Sequence, residues 1–367
     1  MDQVRLDTGG PSTGAGSRGP GTAGVVLATI CAALACGPPG ERPRFVEEVI
    51  PTNAQFRDVF FVDPDHGFLI GGGYGIEGGL VGRTADGGQT WSFHSGLTET
   101  SRPSGALDLR AGWFFDPRTG LVVGDGVILR TADAGEHWRR VHRGPARVGN
   151  LCDVTFVDDT HGWAVGHGGL LATHDGGETW FVPSAEPGGD GGGARGPAEV
   201  GAGDLTALAL HFFDRSEGVA VGGSGRVYAT GDAGVTWWSA DVPASVGDDR
   251  LESVLFVGES LGWIVGEGGL ILKTVDGGAS WRSVASGTRA HLTDVHFVDE
   301  RRGWAVGYLR SNGTSVVLES GDGGETWLPH LTVSGEELHA VTFTDPDHGW
   351  AVGERVRREP QKLLVYR

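Results

Sequence analysis

From residue 45 onward the chain is a succession of short apolar runs cut by clusters of Asp, Gly, Pro and Thr. In one stretch the runs are residues 153–157, 162–166, 170–174 and 179–182. Runs of this length, bounded by turn formers, read as β-strands and not as helices. The same four-run arrangement returns along the whole segment, so the fold is sought in repeats.

Two motifs mark the repeat. The first joins an apolar run, an acidic turn, a glycine and a second apolar run. It reads FFVDPDHGFLIG at 60–71, WFFDPRTGLVVG at 113–124, TFVDDTHGWAVG at 155–166, HFFDRSEGVAVG at 211–222, LFVGESLGWIVG at 255–266, HFVDERRGWAVG at 296–307 and TFTDPDHGWAVG at 342–353. The second is Thr/Ser-x-Asp-x-Gly-x-Thr/Ser-Trp. Its six copies pair Asp86 with Trp91, Asp133 with Trp138, Asp175 with Trp180, Asp232 with Trp237, Asp276 with Trp281 and Asp322 with Trp327. Only the second copy deviates, with His137 in the Thr/Ser place, and the tryptophans are 47, 42, 57, 44 and 46 residues apart.

Four-stranded units at a period in the forties suit propeller blades, none of which can bury its own faces. The fold class predicted is all-β, a seven-bladed β-propeller with four-stranded blades. The last unit ends in KLLVYR at 362–367 and lacks the tryptophan motif. Residues 44–50, RFVEEVI, precede the first blade without a unit of their own, and an N-terminal strand there would close the ring and cover an edge. The propeller is therefore expected to span 45–367.

Composition sharpens this reading. Glycine supplies 66 of 367 residues, as many tight turns require, and 39% hydrophobic residues are enough for a core. A net charge of −18 argues against a nucleic-acid partner. Three cysteines, Cys31, Cys36 and Cys152, make neither a disulfide framework nor a zinc site, and Cys152 reads as a small buried hydrophobe. No cofactor or metal is expected. The Gly-rich insert 187–197 has no lysine and precedes no helix pattern, so it is not a phosphate loop.

Each motif Asp belongs to a turn between the third and fourth strands, where a carboxylate accepts backbone N–H groups and the following Gly takes a positive φ. The Trp would pack between blades. Rotation about the ring axis spreads six such carboxylates apart, so they are structural. His66, His161 and His348 recur just before the glycine of the first turn and read as turn residues. Asp58, Asp153 and Asp294, with His211 and His296 further in, recur near the axis on first strands; hydrogen-bonded structural carboxylates fit there better than a channel metal.

The turn motif resembles the Asp-box, or bacterial neuraminidase repeat, of sialidases and other glycosidases. The combined pattern F-V-D-x-x-x-G-W-A-V-G followed by T-x-D-G-G-x-T-W resembles the photosystem II stability/assembly factor family, seven-bladed propellers of cyanobacteria and chloroplasts. The likeness covers nearly all of 45–367. It implies a non-enzymatic scaffold that holds a protein or membrane-complex partner during assembly. The alternative is a secreted carbohydrate-active propeller, a sialidase-like glycoside hydrolase or a lectin. Sialidases need an arginine triad and a Tyr nucleophile, whereas Tyr228 and Tyr366 fall in expected strands and Tyr74 and Tyr308 in loops without the flanking motif. The chain is thus read as no enzyme, and as a monomer.

Connections between second and third strands and between blades vary most, at 72–79, 308–315, 354–361 and 182–206, and share one end of a propeller. Partner-binding residues are expected at that end. They are Arg139, Arg140, Arg143 and Arg147, a basic run with His142, and Arg102, Arg110, Arg355, Arg357 and Arg358 on neighbouring blades. Guanidinium groups clustered in an acidic protein suit carboxylate or phosphate groups of a partner.

Residues 1–44 read as a leader and linker outside the fold. The apolar run 24–35 is too short to span a bilayer and has the length of a secretory core. Ala33-Leu34-Ala35-Cys36 resembles a bacterial lipoprotein cleavage box, which would make Cys36 the lipidated residue of an exported, periplasmic or cell-surface protein anchored to the membrane.

Overall fold

The computed structural model describes residues 45–50, 55–72, 78–97, 107–143, 149–184, 200–355 and 361–366. Their strands form seven antiparallel sheets arranged as the blades of a propeller. Blade 1 runs Gln55–Phe61, Gly67–Gly72, Gly79–Thr84 and Ser92–Leu97, and blades 2, 5 and 6 repeat this four-strand meander. Blade 7 is closed as the sequence predicts. Phe45–Ile50 pairs antiparallel with Gln361–Tyr366, so the two ends of the chain share one sheet.

Two blades depart from four strands. In blade 3 the expected fourth strand at 179–182 is reduced to one bridge between Ala172 and Phe181, because Pro183 follows at once and has no N–H to extend the ladder. Blade 4 gains a fifth strand, Val200–Gly201, laid along its outer edge.

Both glycines of the first motif are there because atoms approach too closely for a side chain. A Cβ on Gly162 would lie 2.5 Å from the Phe156 ring, and one on Gly166 would lie 2.1 Å from the Asn150 carbonyl oxygen. With no side chain in the way, the blades pack through seven hydrophobic clusters, one at each interface between neighbours. At five interfaces a second-strand aromatic stacks on the first-strand Phe of the next blade. Trp163 lies 3.7 Å from Phe212 at 2°, Trp263 3.5 Å from Phe297, Trp304 3.6 Å from Phe343 and Phe68 3.7 Å from Phe114. Trp350 on Phe61, at 3.9 Å, does the same across the closure from blade 7 to blade 1.

The Asp-box turns behave as their residues require. Thr173 donates to Asp175 at 2.8 Å and accepts the Gly177 N–H at 3.0 Å, while Asp175 accepts both the N–H and the hydroxyl of Thr179. Where His137 replaces the Thr, its ring nitrogen meets Asp133 at 2.7 Å. Each box Trp then meets the Phe of its own blade edge-on at 5.7–6.2 Å, at the interface with the preceding blade. His66, His161 and His348 are turn residues, with ring nitrogens on Asp63, Asp158 and Asp345.

Candidate functional site

In six of the seven blades the first strand carries a β-bulge at the same place. A bulge leaves one residue out of the ladder and re-aims its side chain. The residues so freed are Arg57, Arg110, Cys152, Glu252, Thr293 and His339, and blade 4 contributes Leu208 at the same level. All seven line one depression at the axis, of about 280 Å³, together with Arg250, His291, Tyr308 and Arg310. First strands begin and second strands end here, so this mouth lies at the variable-connection end of the ring.

Four guanidinium groups surround the mouth, each set against a carboxylate. Arg57 donates to His339 Nε2 at 2.8 Å and meets Glu354 at 3.3 Å. Arg110 lies 3.4 Å from Asp108, and its Nη1 is 4.0 Å from Cys152 Sγ. One oxygen of Glu252 lies 2.7 Å from Arg250 Nε and 2.9 Å from His291 Nε2. Arg310 meets Glu267 at 2.7 Å. The pairs hold the arginines in place while Arg110 and Arg310 stay partly open to solvent.

Among the described residues Glu337, His339 and Glu354 bring three ligand atoms within 4.8 Å of one another. Arg57 already supplies that cluster with a cation. Burial holds His339 below the usual histidine range, so its Nε2 is free to accept from Arg57. Burial, and then Glu354, push Glu337 above the usual carboxylate range. The Cys152 thiol is not a core hydrophobe as expected: it lines the mouth half-buried, and burial pushes its pKa up.

One step further along the channel, Asp58, Asp153 and Asp294 reach sideways to the next blade. They accept the N–H groups of Gly112, Leu210 and Val341 at 2.9–3.0 Å. Burial is the main cause that pushes them up, Asp58 to about 7 and the other two to about 6. His211 and His296 are pulled down to about 4 by burial. The geometry is that of latches between blades.

The arginines named from the sequence divide. Arg110 stands at the mouth. Arg355 lies at the same end, with Nε 3.1 Å from the buried Glu336, and anchors blade 7. Arg139 and Arg140 are a correction. Their strand, Arg139–Arg143, starts beside the Asp-box, and only its far end reaches the variable connections. Arg139 pairs with Glu178 of the next blade, where Arg130 also arrives, just as Lys273 and Arg282 converge on Glu325. The run 139–143 therefore spans the outer edge of blade 2 from one end to the other. Arg102, Arg147, Arg357, Arg358 and Cys36, like residues 1–44 as a whole and the insert 187–197, lie outside the described residues. Tyr308 is in the second strand of blade 6, not in a loop, while Tyr74 lies outside the described residues.

Sequence reading missed Arg57, Arg250, Arg310, Glu252, His291 and His339. Arg57 stands immediately before the recurring Asp58 and His291 three residues before Asp294, whereas Arg250, Glu252, Arg310 and His339 adjoin none of the recurring aspartates.

The sequence profile of the family described as photosynthesis system II assembly factor YCF48 matches residues 44–149, 199–290 and 279–356. The chain belongs to this family. A curated relative, the photosystem II assembly lipoprotein Ycf48 of Synechococcus sp. (strain CC9902), is 27% identical over 208 residues. That match spans 56% of this chain and about half, 54%, of the relative. Among solved structures, YCF48 bound to a D1 peptide superposes with a TM-score of 0.65 at 22% identity, over 88% of this chain and 94% of that one. YCF48 from Cyanidioschyzon merolae gives 0.64 at 21%, over 88% and 98%. A GH74 xyloglucanase from Xanthomonas campestris gives 0.59 at 18%, over 85% of this chain and 53% of the enzyme, and shares the propeller fold.

Proposed function

We propose that this chain is a non-catalytic assembly factor whose axial mouth holds an extended segment of a membrane-protein partner. The observation that carries the reading is the set of bulged first strands, which turn Arg57 and Arg110 into one mouth beside Arg250 and Arg310. Guanidinium forks suit the carboxylates of an acidic segment or chain end, and the mouth offers several at fixed spacing. Family membership supports the role, and a solved YCF48 carries a D1 peptide. Arg355, paired with Glu336 at the same end of the ring, and Arg143, Arg102, Arg147, Arg357 and Arg358 would extend the basic surface around it.

Export and a lipid anchor on Cys36 belong to the same proposal, supported by the cleavage-box residues and by the name lipoprotein that the Synechococcus relative carries. The experiment is a calorimetric titration of the chain with a D1 peptide, run beside xyloglucan and a sialoside. Saturable peptide binding without turnover of either glycan is the expected result. Hydrolysis or binding of a glycan with no peptide response would overturn the reading in favour of carbohydrate chemistry. For the anchor, Cys36→Ala is expected to leave the membrane fraction.

A further inference from the structure

The repeats themselves record what belongs against an Asp-box. In every blade one second-strand residue and its cross-strand partner on the third strand face the next blade. The pairs are Phe68 with Arg83, Leu121 with Arg130, Trp163 with Ala172, Trp263 with Lys273, Trp304 with Glu319 and Trp350 with Val365. Each contains an aromatic ring or a long charged side chain.

At four interfaces such a group caps one particular carbonyl, that of the residue after the box Asp. Arg83 Nη1 donates to the Ala134 oxygen at 3.1 Å and Arg130 Nε to the Gly176 oxygen at 3.2 Å. Trp163 and Trp263 donate their indole N–H to the oxygens of Ala233 and Gly323 at 3.0 and 3.1 Å. The two arginines also reach a carboxylate in the same box, Glu136 or Glu178, whereas Lys273 reaches the carboxylate Glu325 and sits 6.0 Å over the Trp263 ring.

Between blades 4 and 5 the pair is Val219 with Ala229. Neither side chain has a donor, and neither has the volume of a ring. The carbonyl in the equivalent position is that of Gly277. The space is a cleft of about 660 Å³ lined by Gly277, Phe213, Trp238, Asp214, Glu217 and Glu259 among others, with no lysine or arginine in its wall. Trp238 is the cross-strand neighbour of Ala229, so an aromatic ring borders the place where a cation sits in blades 1 and 2.

We propose that this cleft binds an arginine side chain of a partner protein, its guanidinium taking the place held by Arg83 and Arg130 at the interfaces after blades 1 and 2. In this box Ala279 stands where Glu136 and Glu178 supply the carboxylate, and the cleft's acids come instead from the first turns of blades 4 and 5, Glu217 and Glu259. A guanidinium can donate to the carbonyl and to such a carboxylate at once, and its face can rest on an indole. An ammonium is a point charge without a planar fork, and where Lys273 bonds the carboxylate Glu325 it is Trp263 that takes the carbonyl. The site lies at the Asp-box end, opposite the axial mouth, and does not depend on the reading above.

The test titrates acetyl-Gly-Arg-Gly-amide into isotope-labelled protein and follows the Trp238 indole resonance, assigned with Trp238→Phe. The counterpart peptide carrying citrulline has the same shape without the charge. A saturable shift is expected with the arginine peptide, at least about tenfold weaker with the citrulline peptide. Ala229→Arg fills the cleft from within and abolishes the response. Glu217→Gln with Glu259→Gln, both exposed, keeps the fold and weakens binding several-fold. No saturable shift of Trp238, equal shifts from the two peptides, or undiminished binding to folded Ala229→Arg would each overturn the proposal.

Discussion

Asp58 is a carboxylate in the channel wall that accepts the Gly112 N–H, yet burial costs its charged form more than the hydrogen bond returns. Folding raises its pKa from 3.8 to about 7, so between those values the folded chain holds a proton that the unfolded chain has lost. The stability this contributes is full below about pH 4 and is lost as pH rises through about 7, at most about 4 kcal/mol. Asp58→Asn keeps an oxygen for Gly112 and carries no charge. The variant should therefore gain stability relative to the parent as pH rises from about 5 to about 8, read from urea midpoints. Asp153→Asn and Asp294→Asn should gain less, since their pKa values reach only about 6. Parallel midpoints at both pH values would mean that Asp58 is charged throughout. The Asp-box has the opposite sign: hydrogen bonds from Thr326 lead in pushing Asp322 down to about 2, so its contribution is lost only as pH falls through the acidic range. There the uncharged partner matters more. Thr173 is fully buried and links Asp175 to Gly177, so Thr173→Val should cost about 1–3 kcal/mol in urea unfolding by stranding the Gly177 N–H and taking one of three donors from Asp175.

Among the strands, Phe45–Ile50 has the clearest separate role, because it covers the edge of Gln361–Tyr366 and ties the chain ends together. Deleting residues 45–50 should lower the melting temperature and give concentration-dependent association through the uncovered edge, seen by sedimentation. A deletion variant that stays monomeric at the parent's melting temperature would show that the aromatic stacks between blades hold the ring alone. This strand was legible in the sequence because an unassigned apolar run stood at one terminus and a short blade at the other. The blades were legible for a related reason: turns demand Asp and Gly at fixed offsets, and close approach demands the glycines of GWAVG, so geometry leaves a signature in residue type. The bulges leave none. Arg57, Arg110, Cys152, Leu208, Glu252, Thr293 and His339 share a position and no chemistry, and no local pattern marks them. Arg139 misled for a different reason. It is close in sequence to the variable connection after blade 2, but its strand crosses the blade, and five residues carry the chain from the Asp-box end to the other.

Across the whole ring, charge separates two uses of arginine in a molecule with a net charge of −18. At the rim, Arg130 and Arg139 meet Glu178 and tie blade 2 to blade 3, and Lys273 and Arg282 repeat the tie from blade 5 to blade 6. At the axis, guanidinium groups from different blades face one depression that no single blade could form. Variants should divide along the same line. Arg57→Ala with Arg110→Ala removes two charge-assisted donors from the mouth and should weaken binding of an acidic peptide at least about tenfold. The same binding should fall as salt rises, since the mouth is open to solvent. Arg139→Ala should leave peptide affinity unchanged and cost at most about 1 kcal/mol of stability, as an exposed pair does. Calorimetric titration and urea unfolding of both variants separate the two roles. If Arg139→Ala weakened the peptide as much as the mouth variant, the binding face would have to run down the outer edge of blade 2, and the bulged ring would be architecture alone.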